Sequence, residues 1–67
     1  MSNVKLININ TAGVSELMTL PGIGESRAND IIRYRTENGG FGCIEDIKKV
    51  SGIKDAAYSK IKDLIQV

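Results

Sequence analysis

The sequence predicts an all-α fold in which two pseudo-symmetric copies of one helical unit pack as a single compact domain. Three observations carry this expectation. The chain has 67 residues, below the usual domain length of about 100–150, so a second core does not fit. Hydrophobic residues make up 42% and charged residues 25% with no long polar tract, which is the balance of a chain that folds. Laid against itself at an offset of 30 residues, Leu17–Glu25 (LMTLPGIGE) falls over Ile47–Asp55 (IKKVSGIKD), with a shared Gly-Ile pair and apolar positions that agree on either side. Further on, Ala28 meets Tyr58 and Ile31 meets Ile61.

Within the single domain 1–67, residues 1–12 read as an extended N-terminal segment. It carries Val4, Leu6, Ile7 and Ile9, has too little length to build a sheet, and is expected to lie over the helices. The first unit covers 13–38. A short helix from Val14 to Leu20 is expected, with Gly13 as a permissive N-cap and Glu16 facing the positive end of the helix dipole. Pro21 disfavours a helical Leu20 and Gly22 can take positive φ, so the chain turns there. A longer helix follows from Glu25 to about Asn38, placing Ala28, Ile31, Ile32 and Arg35 on one stripe, and Gly39-Gly40 ends it. The connector 39–42 has Phe41 as its only large anchor.

The second unit covers 43–67. Cys43 stands where an N-cap belongs, and Asp46 takes the third helical position of a segment that ends near Val50. A final helix from about Asp55 to Ile65 would share one face among Tyr58, Ile61, Leu64 and Ile65.

Composition removes many function classes. The single Cys43 excludes an internal disulfide, and the absence of His removes the usual zinc spacings and every His-based triad. No catalytic residues, metal or cofactor are expected: adjacent Glu45 and Asp46 diverge on a helix, and so short a chain leaves little room for a deep cavity. No apolar run approaches 18 residues and no signal peptide is legible, so direct membrane contact by these residues is not expected. The net charge of +1 is too small for a long-range field, which confines any polyanion site to a local one.

The turns are where such a site would form. In Leu20-Pro21-Gly22-Ile23-Gly24 a short helix ends and a long one begins, so the first amides of the new helix lack intrahelical partners. Glycines flanking Ile23 would let a phosphate approach the backbone, aided by the dipole of the helix. A plain αα-turn whose glycines serve only tight packing is the other reading, and the repetition of the turn weighs against it.

Leu-Pro-Gly-Ile-Gly followed by Ala28 and Ile31-Ile32 resembles the helix-hairpin-helix motif of DNA-binding proteins that do not read sequence. Two in tandem form the compact, SAM-like double unit of that superfamily. The span from Ile7 to Val67, with Ile9-Asn10-Thr11-Ala12, Ile32-Arg33-Tyr34-Arg35, Glu37-Asn38-Gly39, Phe41 and Ile44 through Ile53, resembles the C-terminal domain of the ComEA family of competence proteins. The resemblance implies double-stranded DNA binding from the minor-groove side, each hairpin holding one backbone through main-chain amides. It also implies a place outside the cytoplasmic membrane, on an anchor preceding these residues, where DNA is captured for uptake during transformation beside other DNA-uptake proteins.

Carried over by position, the phosphate donors are the N–H groups of Gly22, Ile23 and Gly24 and of Gly52, Ile53 and Lys54, with both Ile side chains plugging the core. Two positions depart from the family pattern: Lys54, where a second Gly is usual, and Ser51, where the first copy has Pro. Lys54 adopts positive φ less cheaply than Gly, which makes the second hairpin the less secure, yet it brings an ammonium to the phosphate. Glu25 and Asp55 would repel a phosphate that came too close, an argument for modest affinity.

Arg27, Lys48, Lys49 and Lys54 complete the candidate site. Alone they read as a solvated surface; beside the hairpins they read as a phosphate-facing strip. Arg33 and Arg35 lie mid-helix, with Arg35 on the apolar stripe as a snorkelling stem, and Lys60 and Lys62 serve solubility. Tyr34 and Tyr58 are assigned to core packing rather than base stacking, and Cys43 to a weak cap rather than a thiol of lowered pKa. A small helical protein-interaction module is the competing class, and salt-sensitive binding to random duplex DNA discriminates the two.

Overall fold

The computed structural model describes residues 5–67; the start of the expected N-terminal segment, residues 1–4, lies outside them. The chain runs through strand β1 (Ile7–Asn8), helix α1 (Val14–Leu17), helix α2 (Glu25–Asn38), a 3-10 helix (Ile44–Lys49), helix α3 (Asp55–Ile61) and strand β2 (Ile65–Gln66). The fold is mainly helical, as the repeat predicts. Its core alternates between the units: Leu17, Leu20, Ile23, Ala28 and Ile31 from the first meet Ile47, Val50, Ile53 and Ile61 from the second, with Ile9 and Phe41 closing the ends.

α2 is the longest element because both its ends are written into the sequence. Gly24 is its extended N-cap, and Gly39 takes the left-handed conformation at the C-cap with φ +75°. Gly40 follows at φ +103°, where its amide donates to Arg35 O at 2.8 Å. The chain then enters Phe41, whose ring is buried and stacks on Tyr34 with centroids 5.2 Å apart.

Four expectations are corrected. The N-terminal segment does not simply lie over the helices: it pairs in parallel with the chain's end, Ile7 against Ile65 and Asn8 against Gln66. That pairing is possible because α3 stops at Ile61 rather than Ile65. Extending α3 would leave the amides of Ile7 and Ile9 without the acceptors they find at Leu64 O and Gln66 O, both at 2.9 Å. Leu64 accordingly leaves the buried face and is exposed, while Ile65 is buried in the strand.

α1 also ends early, at Leu17. After Met18, Thr19 and Leu20 tighten into i→i−3 bonds, Thr19 N to Glu16 O and Leu20 N to Leu17 O, both at 3.1 Å. The corresponding segment of the second unit is a 3-10 helix throughout.

Arg35, finally, is an anchor rather than a snorkelling stem. Its Nη1 donates to Ile9 O at 3.0 Å and to Ala12 O at 2.6 Å, tying α2 to the N-terminal segment. Asn10 makes the companion clamp, accepting from Phe41 N at 2.6 Å and donating to Phe41 O at 3.0 Å. Together these bonds tie the N-terminal segment to α2 and to the connector.

Candidate functional site

The two turns have the same backbone. Gly22 and Gly52 take φ of +79° and +86°, the left-handed region that glycine occupies without strain. The next residue, Ile23 or Ile53, is buried and donates its amide back to Leu20 O or Val50 O at 3.1 Å. The residue after it is an extended N-cap: Gly24 at φ −92°, ψ −173° and Lys54 at φ −107°, ψ −172°. Each cap carbonyl then opens a helix, accepting from Ala28 N at 2.9 Å and Tyr58 N at 2.8 Å.

This geometry revises two expectations about the hairpins. Lys54 needs no positive φ, so its departure from the Gly of the first copy has no backbone cost and the second turn is as regular as the first. The amides of Ile23 and Ile53 are committed within the turn, which leaves Gly22, Gly24, Gly52 and Lys54 as exposed positions whose N–H groups have no backbone acceptor among the described residues. The Ile side chains are buried in the core beneath these exposed positions.

The cations are less free than the sequence suggests. Lys48 Nζ lies 3.3 Å from Asp55 Oδ1 and 5.1 Å from the centroid of the Tyr58 ring. Lys49 Nζ lies 3.3 Å from Asp46 Oδ1, a contact that raises the Lys49 pKa. Arg27 pairs loosely with Asp30 at 3.9 Å. Lys54 is the one member of the strip with no ion pair among the described residues.

Arg27 is displaced from where its place in the chain suggests. It belongs to the first turn of α2, yet a Cβ added at Gly52 would run into its guanidinium, so the side chain lies across the second hairpin. At Gly22 a Cβ would meet only open space. Nothing in the local sequence signals this crossing, because it depends on how the two units pack.

The remaining polar groups support the second unit. Asp46 accepts from Gly42 N at 3.1 Å, and that bond, with Lys49, lowers its pKa. Glu45 is lowered by its own amide and by the Cys43 thiol. Cys43 has the extended cap backbone but makes no side-chain cap bond, and its thiol pKa is raised, first by desolvation, so it is neither the expected cap nor an activated thiol. Tyr34 is engaged with Phe41 and Tyr58 with Lys48. Among the described residues no trio of Cys, Asp or Glu is placed to hold a metal, and no helix is long and apolar enough to cross a membrane. The shallow groove between α2 and the second turn is lined by Asp30 and Glu37 beside Arg33, an arrangement ill-suited to a polyanion.

The sequence profile of the Helix-hairpin-helix motif family matches residues 2–66. The chain is 55% identical over 62 residues to ComE operon protein 1 of Bacillus subtilis, a match covering 92% of this chain and 30% of that protein. It is 43% identical over 60 residues to the human endonuclease/exonuclease/phosphatase family domain-containing protein 1, covering 90% of this chain and 10% of that one. A Haemophilus influenzae protein is 42% identical over 60 residues, covering 88% of this chain and 54% of its own length. The chain thus spans a third or less of the first two relatives, and the tenth matched in the nuclease-named protein is the double-hairpin part alone. A match over nearly the whole chain, on a structure with the same turn made twice, places this protein in the helix-hairpin-helix family, as a ComEA-like domain.

Proposed function

We propose that the domain binds double-stranded DNA without reading its sequence, holding phosphates on the exposed amides of the two turns. The observation that supports this most is the congruence of the turns, each presenting a glycine at positive φ, a buried Ile and an exposed cap residue whose amide has no backbone acceptor among the described residues. Amides at a helix start favour anions, and contacts to phosphate carry no base information. Gly22 and Gly24 form one cradle, Gly52 and Lys54 the other, with Ile23 and Ile53 beneath them as plugs. Arg27, Lys48, Lys49 and Lys54 supply the surrounding charge. The likeness to ComE operon protein 1 supports a DNA-receptor role in competence, on a segment preceding these residues that holds the domain outside the cytoplasmic membrane beside other uptake proteins.

The carboxylates on Lys48, Lys49 and Arg27 compete with phosphate, so binding should be weak, about micromolar and strongly salt-dependent. If two to four phosphates are neutralised, log K against log salt should fall with a slope of roughly −2 to −4 on any random duplex. Anisotropy titrations on several unrelated duplexes measure this. A strong preference for one sequence, or a folded Gly22→Val, Gly52→Val double variant that binds like the parent, would overturn the cradle and bring forward a protein-interaction module.

A further inference from the structure

The repeat distributes its cations unevenly, and the fold then gathers them. At the cap position the first unit has Gly24 and the second Lys54; at the third helical position the first has Arg27 and the second Ala57. Read along the chain, each hairpin owns one cation. In the folded chain the Arg27 guanidinium lies over Gly52, while nothing approaches the equivalent face of Gly22 within 4 Å. Both cations therefore stand at the second turn. Arg27 keeps only a long contact to Asp30, at 3.9 Å with 44% of its side chain exposed, and Lys54 has no ion pair among the described residues. Neither is tied down as Lys48 and Lys49 are, each 3.3 Å from a carboxylate.

We propose that Arg27 is a phosphate-binding residue of the second hairpin, acting with Lys54 on one phosphate, and that the first hairpin grips by backbone amides alone. This rests on the DNA-binding reading above. A guanidinium offers a planar fork of donors suited to phosphate oxygens, and Lys54, two residues after Gly52, adds a point charge at the same turn. Amides orient a phosphate but bring no net charge, and the salt dependence of binding counts phosphates neutralised by Lys and Arg. The second hairpin is thus the salt-sensitive half of the grip and the first the salt-insensitive half.

Salt titrations on a random 12-base-pair duplex test this with the whole chain. The parent's own binding tests the DNA-binding reading: a parent that fails to bind removes that reading and this inference with it. Given a binding parent, Arg27→Gln and Lys54→Gln should each weaken affinity about five- to tenfold, and the double variant should lower the salt slope by about 1, the one phosphate the pair neutralises. Because they share one phosphate, the double variant should lose at least threefold less than the product of the single losses. Gly22→Ala, which strains only the first turn, should weaken binding with no change of slope and should combine multiplicatively with Arg27→Gln. Melting curves confirm that each variant is folded. An Arg27→Gln, Lys54→Gln double variant with parental slope, single losses at Arg27 and Lys54 that multiply, or coupling of Arg27 to Gly22 instead would overturn the proposal while leaving duplex binding itself standing.

Discussion

At Gly22 and Gly52 the chain turns with φ of +79° and +86°, and each turn is followed by a buried Ile and an extended cap, yet the surroundings of the two differ at almost every position. The first turn opens a helix of 14 residues, the second one of 7. The first is approached from a short α-helix, the second from a 3-10 helix. Gly22 is bare, while Gly52 lies under Arg27. Buried Ala28 has Tyr58 as its counterpart, a partly exposed ring with the Lys48 ammonium over its face. What both units retain is the left-handed glycine, the Ile plug and an acidic residue opening the helix, Glu25 or Asp55; what they vary is where the cations stand. A backbone cradle can therefore be duplicated intact while the electrostatics around each copy diverge.

The plugs offer the largest way to break the resemblance. Ile53 is fully buried and Ile23 nearly so, each beneath its turn and in contact with the shared core. Ile→Ala in a core costs about 2–5 kcal/mol, a large part of the stability of so small a domain. Both substitutions are expected in that range by urea unfolding. A loss below about 1 kcal/mol at either would show that its turn is held up by something other than the plug.

Much of this was legible because it is local. Gly24 and Gly39-Gly40 announce α2 from Glu25 to Asn38, and the repeated Gly-Ile pair announces both turns. Periodicity alone carries the final helix on to Ile65, because its true end depends on β1, nearly sixty residues away in the chain, which offers the pairing that Ile65–Gln66 take up. Arg35 reads as a snorkelling stem for the same reason, since its acceptors at Ile9 and Ala12 lie on the segment it anchors. In the site, glycines and plugs follow from the pattern, whereas the crossing of Arg27 and the pairing of Lys48 with Asp55 exist only once the units are packed.

The glycines sharpen the comparison at smaller scale. Gly22→Ala and Gly52→Ala each force a side chain to positive φ, a strain of about 1–3 kcal/mol. At Gly52 the new methyl also drives Arg27 away, but that side chain is flexible and exposed, so the added loss should stay below about 1 kcal/mol. Thermal melts should therefore show both variants destabilised, Gly52→Ala slightly more. In an Arg27→Ala background the difference should vanish. Its persistence there would mean that the second turn is strained by a neighbour other than Arg27.

The smallest effect concerns how each unit begins. In the first, Ala12 N donates to Asn8 O at 2.9 Å, and Glu16 is exposed in the first turn of α1. In the second, the equivalent amide of Gly42 has no such backbone acceptor and uses the Asp46 carboxylate instead, at 3.1 Å, with Lys49 on the other oxygen. The start of one unit is thus held by backbone, the other by a titratable group. The Gly42 bond, followed by Lys49, lowers the Asp46 pKa below its ordinary value of about 3.9. A depressed carboxylate pKa means that the unfolded chain takes up the proton first. Its stabilising contribution is therefore complete above about pH 4 and is lost as pH falls through the folded value. Glu45, also lowered, acts in the same sense. Melting temperatures from pH 7 down to pH 2 should show the parent losing its advantage over Asp46→Asn below about pH 4, the two curves converging in acid. An Asp46→Asn curve that stays parallel to the parent down to pH 2 would mean that the side-chain cap adds nothing and that both units begin on backbone alone.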